Sequence, residues 1–141
     1  MQMPDVDVLV YAHRQEAPQH ARYSRWLNDL VNGEEPFALS VAVMQGFVRL
    51  TTHPKVFRPA ATVEEAFAFL AVLLGRPGCN VLRPGAGHWR IFRELCLRDG
   101  IRGNLVMDAA HAALAIEYGC EWVTADSDYA RFAPPLRWRL L

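Results

Sequence analysis

The chain has 141 residues, 52% of them apolar and 21% charged, the composition of one soluble globular domain and not of a disordered polymer. Its 15 basic and 15 acidic residues cancel, which excludes a whole-molecule electrostatic attraction to nucleic acid. What remains is local: Lys55 is the one lysine, and arginines reach phosphate and carboxylate bidentately.

Cys79, Cys96 and Cys120 show no metal-ligand spacing, and their odd number argues against a disulfide framework. Free thiols in a reducing, cytoplasmic compartment are the expectation. The longest apolar run, residues 66–74, is too short to cross a bilayer, so no membrane association is expected.

In chain order, residues 2–5 are expected as a first strand and residues 7–12 as a turn or short helix leaving it. Asp5 and Asp7 interrupt an otherwise apolar segment, and buried acids are costly unless hydrogen-bonded, paired or metal-bound. Asp7 can cap the following turn; for Asp5, at a strand end, no capping role is evident. Residues 18–31 form an amphipathic helix, and Asn32-Gly33 ends it. Residues 37–39 are a short strand, after which Ser40 caps a helix over 41–52 that carries Arg49.

His53-Pro54 closes that helix. Thr62 and Glu65 make a capping box for the next one, ending near Gly75. Its Phe67, Phe69, Leu70, Leu73 and Leu74 cover much of the circumference, which predicts burial on more than one side and a contact between copies. Residues 80–82 are a third strand. The loop from Pro84 to Gly87 carries a lone G-x-G without P-loop context, so a nucleotide fingerprint is rejected. Residues 88–98 are a helix with Trp89, Phe92, Leu95 and Cys96 inward.

The stretch from Gly103 to Phe132 organises the rest. Asp108 opens a helix with an apolar stripe of alanines, and Gly119 ends it as a left-handed C-terminal residue would. Residues 122–124 are a short strand, followed at once by Asp126-Ser127-Asp128. Residues 136–141 form a last strand. Helices and short strands alternate throughout, so residues 1–141 read as a single α/β domain with a mostly parallel sheet and helices on both faces.

Ligands of such sheets bind beyond the carboxyl ends of the strands, where strand order reverses. Asp5 and Asp126 sit at predicted strand ends, Asp108 enters from a helix start, and Asp128 follows. Converging carboxylates repel unless a cation or protons neutralise them. Their hard oxygens suit Mg²⁺ or Mn²⁺, with waters retained and room for a phosphate. The same acids also read as caps and turns, Asp108 as an N-cap and Asp126 with Asp128 as an Asx-turn.

Four segments carry a resemblance. They are PDVDVLVYAHR from Pro4 to Arg14, GFVRL and THPKVF between Gly46 and Phe57, DAAHAALAIEYG from Asp108 to Gly119, and TADSDYARF from Thr124 to Phe132. Over almost its whole length the chain resembles PIN-domain nucleases, and among them the VapC toxins of bacterial toxin–antitoxin pairs. The resemblance implies a PIN-like, Rossmann-like three-layer α/β/α fold with a short-stranded sheet. It also implies an endoribonuclease dependent on Mg²⁺ or Mn²⁺, a homodimer, and a VapB-type antitoxin that occludes the site.

Carried over residue by residue, the likeness puts Asp5 and Asp108 on the metal and makes Asp126 and Asp128 complete or extend the acidic cluster; with the reading of the residues themselves, Asp5, Asp108, Asp126 and Asp128 are the catalytic candidates, Asp126 a third metal ligand, and Asp7 and Thr124 supporting groups. Arg14 and Arg49 are candidates to contact RNA phosphate. Many members carry Asn where Asp7 stands, and a Glu on the helix before Arg49, where this chain has Gln45 and Gly46. Gln45 is left as an outer hydrogen-bonder, and Asp7 as a compensating acid.

His111, one turn after Asp108, reads as a structural histidine ahead of a general base. Two other classes of function compete: a PIN-fold module that binds RNA or a partner without cutting, and a receiver-like signalling domain with a phosphorylated Asp. The second lacks a suitably placed lysine.

Overall fold

The computed structural model describes all 141 residues. Five short strands form one sheet: β1 (Gln2–Pro4), β2 (Phe37–Ser40), β3 (Cys79–Leu82), β4 (Glu121–Thr124) and β5 (Arg137–Leu140). Their order is β3-β2-β1-β4-β5, and every pairing is parallel. The helices are α1 (Val6–His13), α2 (His20–Asn32), α3 (Val41–Thr51), α4 (Val63–Leu74), α5 (His88–Arg98) and α6 (Leu105–Glu117), with a 3-10 helix over Ser127–Phe132. The result is the expected three-layer α/β/α fold.

β1 lies at the centre of the sheet. The chain passes from it to β2 and β3 on one side, then returns to β4 and β5 on the other. The reversal of strand order thus falls between β1 and β4, the place where such sheets open a crevice. Register brings the two strand ends level, with Met3 opposite Trp122 and Pro4 opposite Val123.

Local chemistry accounts for several boundaries. Ser40 caps α3 by accepting from Val43 N–H at 3.0 Å. Thr62 and Glu65 form the reciprocal capping box of α4. Gly119 has φ of +62° after α6, the left-handed geometry expected at that end. α6 begins at Leu105, so Asp108 lies within its first turn and not at its cap.

The capping expectation at the first helix is corrected. Asp5 is the N-cap of α1, its Oδ1 accepting from Val6 N–H at 2.6 Å, and Asp7 is turned elsewhere. The core is formed by Trp122, Phe37, Phe47, Phe132, Met3 and their aliphatic neighbours. α4 buries only Ala66, Leu70 and Leu73, so it is covered on one face, and Phe67, Val72 and Leu74 remain exposed. Trp89, expected inward, is 71% exposed, because α5 turns Leu95 to the core instead.

Candidate functional site

Three of the four acids expected to converge, Asp5, Asp108 and Asp126, do so, and Asp7 takes the place expected for Asp128. Asp5 and Asp7 stand at the start of α1, just past β1; Asp108 comes from the first turn of α6; and Asp126 follows β4. All four line a cavity of about 440 Å³, together with Arg49, His111, Tyr129, Asn104 and Met107.

Thr124 ties the strand ends together. Its hydroxyl lies 2.7 Å from Asp5 Oδ2 and 3.4 Å from Asp7 Oδ2, and it accepts from Asp126 N–H at 3.0 Å. With one proton to give, the hydroxyl donates to Asp5 at the shorter distance. Asp7 Oδ2 is held by Ala125 N–H at 3.1 Å, while its Oδ1 is buried with no partner at all. Asp126 Oδ1 accepts from Asp128 N–H at 2.8 Å, the Asx-turn expected there. Unlike these three, Asp108 accepts from no backbone N–H; Tyr129 shares the cavity wall with it.

Crowding raises the proton affinity of the group. Burial, then Asp7 and Asp108, push Asp5 up to about 8 against the pull of Thr124 and Val6 N–H. Burial pushes Asp7 up to about 6, with Asp126 adding to it. Asp108 is raised by burial and by Asp126 and Asp128, while Arg131 opposes the shift. Tyr129 is buried beside these carboxylates and its ionisation is driven far above the ordinary range, so the phenol keeps its proton.

The donor set therefore fits a hard divalent cation in kind: carboxylate oxygens only, strained by mutual repulsion, one of them an orphan. No three of the acids already stand together as a ready-made cluster.

Other candidates fall differently. Arg49 lines the acid cavity, as expected of a phosphate contact. Arg14 does not join it. At the far end of α1 it is 9% exposed, bound to Glu16 and the Pro59 carbonyl and laid 4.5 Å from the Phe57 ring centre. Its guanidinium is spent on holding a loop.

Asp128 lies outside the cavity, its side chain 62% exposed and 3.8 Å from Arg131. Gln45 points into a separate apolar groove between α3 and α4. A Cβ on Gly46 would come within 2.9 Å of Val6 Cγ2, so a valine occupies the space a side chain there would need. His111 is buried against Trp122, ring centres 5.5 Å apart, and burial lowers it to about 4; the imidazole is neutral near pH 7.

Sequence reasoning passed over Tyr129, Asn104, Met107 and Arg131. Only Tyr129 left a signal, three residues after Asp126 and thus on the same side of a 3-10 turn.

A family model described as the PIN domain matches residues 3–134. A VapC ribonuclease of Mycobacterium bovis is 42% identical over 135 residues, covering 96% of this chain and 91% of that one. Ribonuclease VapC25 of Mycobacterium tuberculosis is 36% identical, covering 92% and 91%. Among solved structures, the VapBC2 complex of Rickettsia felis bound to a promoter DNA fragment superposes with a TM-score of 0.71 at 22% identity, over 99% of this chain and 97% of that one. VapC20 of Mycobacterium tuberculosis, a toxin that cleaves the sarcin–ricin loop, does so with 0.69 at 15% identity, over 96% of each.

Proposed function

The chain belongs to the PIN-domain family and within it to the VapC ribonucleases, and from that premise we propose that it is a cytoplasmic endoribonuclease toxin dependent on Mg²⁺ or Mn²⁺. The observation that carries the proposal is the cavity at the reversal of strand order, with four aspartates and one arginine on its walls.

Asp5, Asp108 and Asp126 would hold the ion, with Asp7 beside them. When bound, it would polarise the scissile phosphate and make a water nucleophilic near neutral pH. The protein's own groups do the rest. Thr124 and Val6 N–H fix both oxygens of Asp5, and Ala125 N–H fixes one oxygen of Asp7. Arg49 offers the RNA phosphate its one charged donor on the cavity wall. His111, neutral and packed flat on Trp122, shapes the wall without moving protons near pH 7.

Two partners belong to the same proposal. The groove between α3 and α4, about 660 Å³ and lined by Val41, Met44, Val48, Phe67 and Leu74, runs to Arg49, which also borders the acid cavity. A VapB-type antitoxin seated there would cover apolar surface and reach the catalytic opening in one contact; the solved relatives that superpose include VapBC complexes. A second copy of the chain would cover exposed Trp89 and Leu97 of α5, and sedimentation tests that homodimer.

The test of the activity is cleavage of a pool of structured RNAs by the purified protein with Mg²⁺, Mn²⁺ or EDTA, alongside Asp108→Asn. Cutting that needs the metal and is lost in the variant is the expected result. A folded protein that binds RNA but never cuts it would make this a binding module, the reading favoured by the Val6-filled space at Gly46.

A further inference from the structure

The acid cavity has a neutral side that the metal chemistry leaves unused. Four of the residues lining it are acids and one is Arg49, while His111 and Tyr129 are buried in its wall. Asn104 and Met107 are its exposed neutral side chains, Met107 at 56%. They stand three residues apart at the start of α6 and so share a face, with Asp108 on the same turn.

Neither side chain has a structural task that accounts for it. Asparagine is a favoured helix cap because its oxygen can accept from first-turn N–H groups, a geometry that needs extended backbone at the cap. Asn104 has φ of −61° and ψ of −30°, already helical, and its side chain makes no capping hydrogen bond. The amide is left at the cavity with a donor and an acceptor in one plane. Met107 holds more than half of a soft, polarisable side chain in water beside charged groups, where cover by a flat ring would be favourable.

We propose that Asn104 and Met107 are the base-reading side of the site: an unstacked RNA base lies on the Met107 thioether and is held along its edge by the Asn104 amide. This inference rests on the ribonuclease reading of the cavity. An uncharged base is the part of RNA that can approach four carboxylates without repulsion, and single-stranded RNA offers bases splayed out in this way. The donor and acceptor of the amide match N7 and N6 of adenine in one bidentate pair, so adenine is the base selected. Packing on Met107 adds affinity and carries little choice between bases.

The experiment has a binding arm and a cleavage arm. Short unstructured RNAs of A, C or U alone are titrated into Asp5→Asn, and into the same protein carrying Asn104→Ala or Met107→Ala, with binding read by fluorescence anisotropy. Oligo(A) should bind more tightly than oligo(U) by about fivefold or more, the effect of one bidentate amide pair. Asn104→Ala should erase that ratio, and Met107→Ala should weaken every RNA a few-fold while keeping their order. In the cleavage arm, a random single-stranded RNA pool is cut by proteins with Asp5 intact and the ends are sequenced. Adenine should be enriched at one position beside the cut, and the enrichment should be lost in Asn104→Ala.

Equal binding of the three RNAs, no binding of any, or a ratio unchanged by Asn104→Ala overturns the proposal. So does a Met107→Ala variant that alters sedimentation and leaves RNA affinity alone, since the thioether would then serve a contact between copies. Both side chains are exposed, so the variants should melt with their parent. Should Asn104→Ala fail to fold, Asn104→Asp keeps the shape and lacks the donor to N7, and the same ratio is read there. A base preference lost in Asn104→Ala without cleavage in any metal would sink the nuclease reading and leave this inference standing. Metal-dependent cleavage with one preference in all the variants would do the reverse.

Discussion

The hydroxyl of Thr124, last residue of β4, donates to Asp5 Oδ2 just past β1 over 2.7 Å, although 119 residues separate the two. Asp126 N–H donates back to the same hydroxyl, so a single oxygen joins both strand ends to the loop that follows. Thr124→Val keeps the buried shape and removes that oxygen. It should destabilise the protein by about 1–3 kcal/mol, since Asp5 and Asp126 N–H each lose a buried partner. Thr124→Ser should restore most of the loss. Urea denaturation of the three proteins checks this, and equal midpoints would show that the hydroxyl is dispensable.

Asp5 makes the metal-free protein sensitive to pH in a defined sense. Its folded pKa, about 8, lies above the ordinary 3.8, so the folded state holds a proton that the unfolded chain releases. For such a group stability is greatest in acid and is lost as pH rises from about 4 towards about 8; Asp7 adds a smaller loss that is complete by about 6. Stability without metal should therefore fall with rising pH, at a rate approaching about 1.4 kcal/mol per pH unit between pH 6 and pH 8 and more steeply between pH 5 and pH 6, where Asp7 also contributes; thermal melting across this range checks it. Asp5→Asn should flatten the slope, and Mg²⁺ should help most at the alkaline end. A flat profile in the wild-type protein would contradict the crowding of these acids.

Arg14 should matter to folding and not to RNA. Arg14→Ala removes the bonds to Glu16 and the Pro59 carbonyl and the stacking on Phe57, and should cost about 1–3 kcal/mol. Below its melting temperature the variant should cleave RNA with an unchanged KM. Arg49→Ala should give the opposite pattern, a raised KM at wild-type stability. Steady-state kinetics and melting on both variants decide between the roles.

Gly46 should resist enlargement. Gly46→Ala drives a methyl to within 2.9 Å of Val6 Cγ2, and overpacking of this kind costs about 1–3 kcal/mol. Pairing it with Val6→Ala should return part of that stability, because the clash is between those two side chains. Chemical denaturation of the single and double variants measures the coupling. Additive losses would mean that α3 shifts to make room.

Much of this protein was readable along the chain. The caps at Ser40 and Thr62, the end of α6 at Gly119, the Asx-turn at Asp126 and the alternation of helix with short strand all follow from residues within a turn of one another. So does the identity of the acids that could gather, because a parallel sheet sends every strand end to the same edge.

The folded chain alone decided what depends on side-chain direction and on partners far away in sequence. Asp5 and not Asp7 became the helix cap, once Ala125 N–H was there to take Asp7. Arg14 was drawn inward by Phe57 and Pro59, Asp128 turned out to solvent, and Trp89 stayed exposed. Tyr129 entered the site only because Trp122 and Phe132 grip its ring. Periodicity tells which residues share a face, while the neighbour that meets that face is set by long-range packing. For this reason Asp5, Asp108 and Asp126 could be named together from sequence, while the inclusion of Asp7 in the cavity in place of Asp128, and the groups that hold these acids, could not.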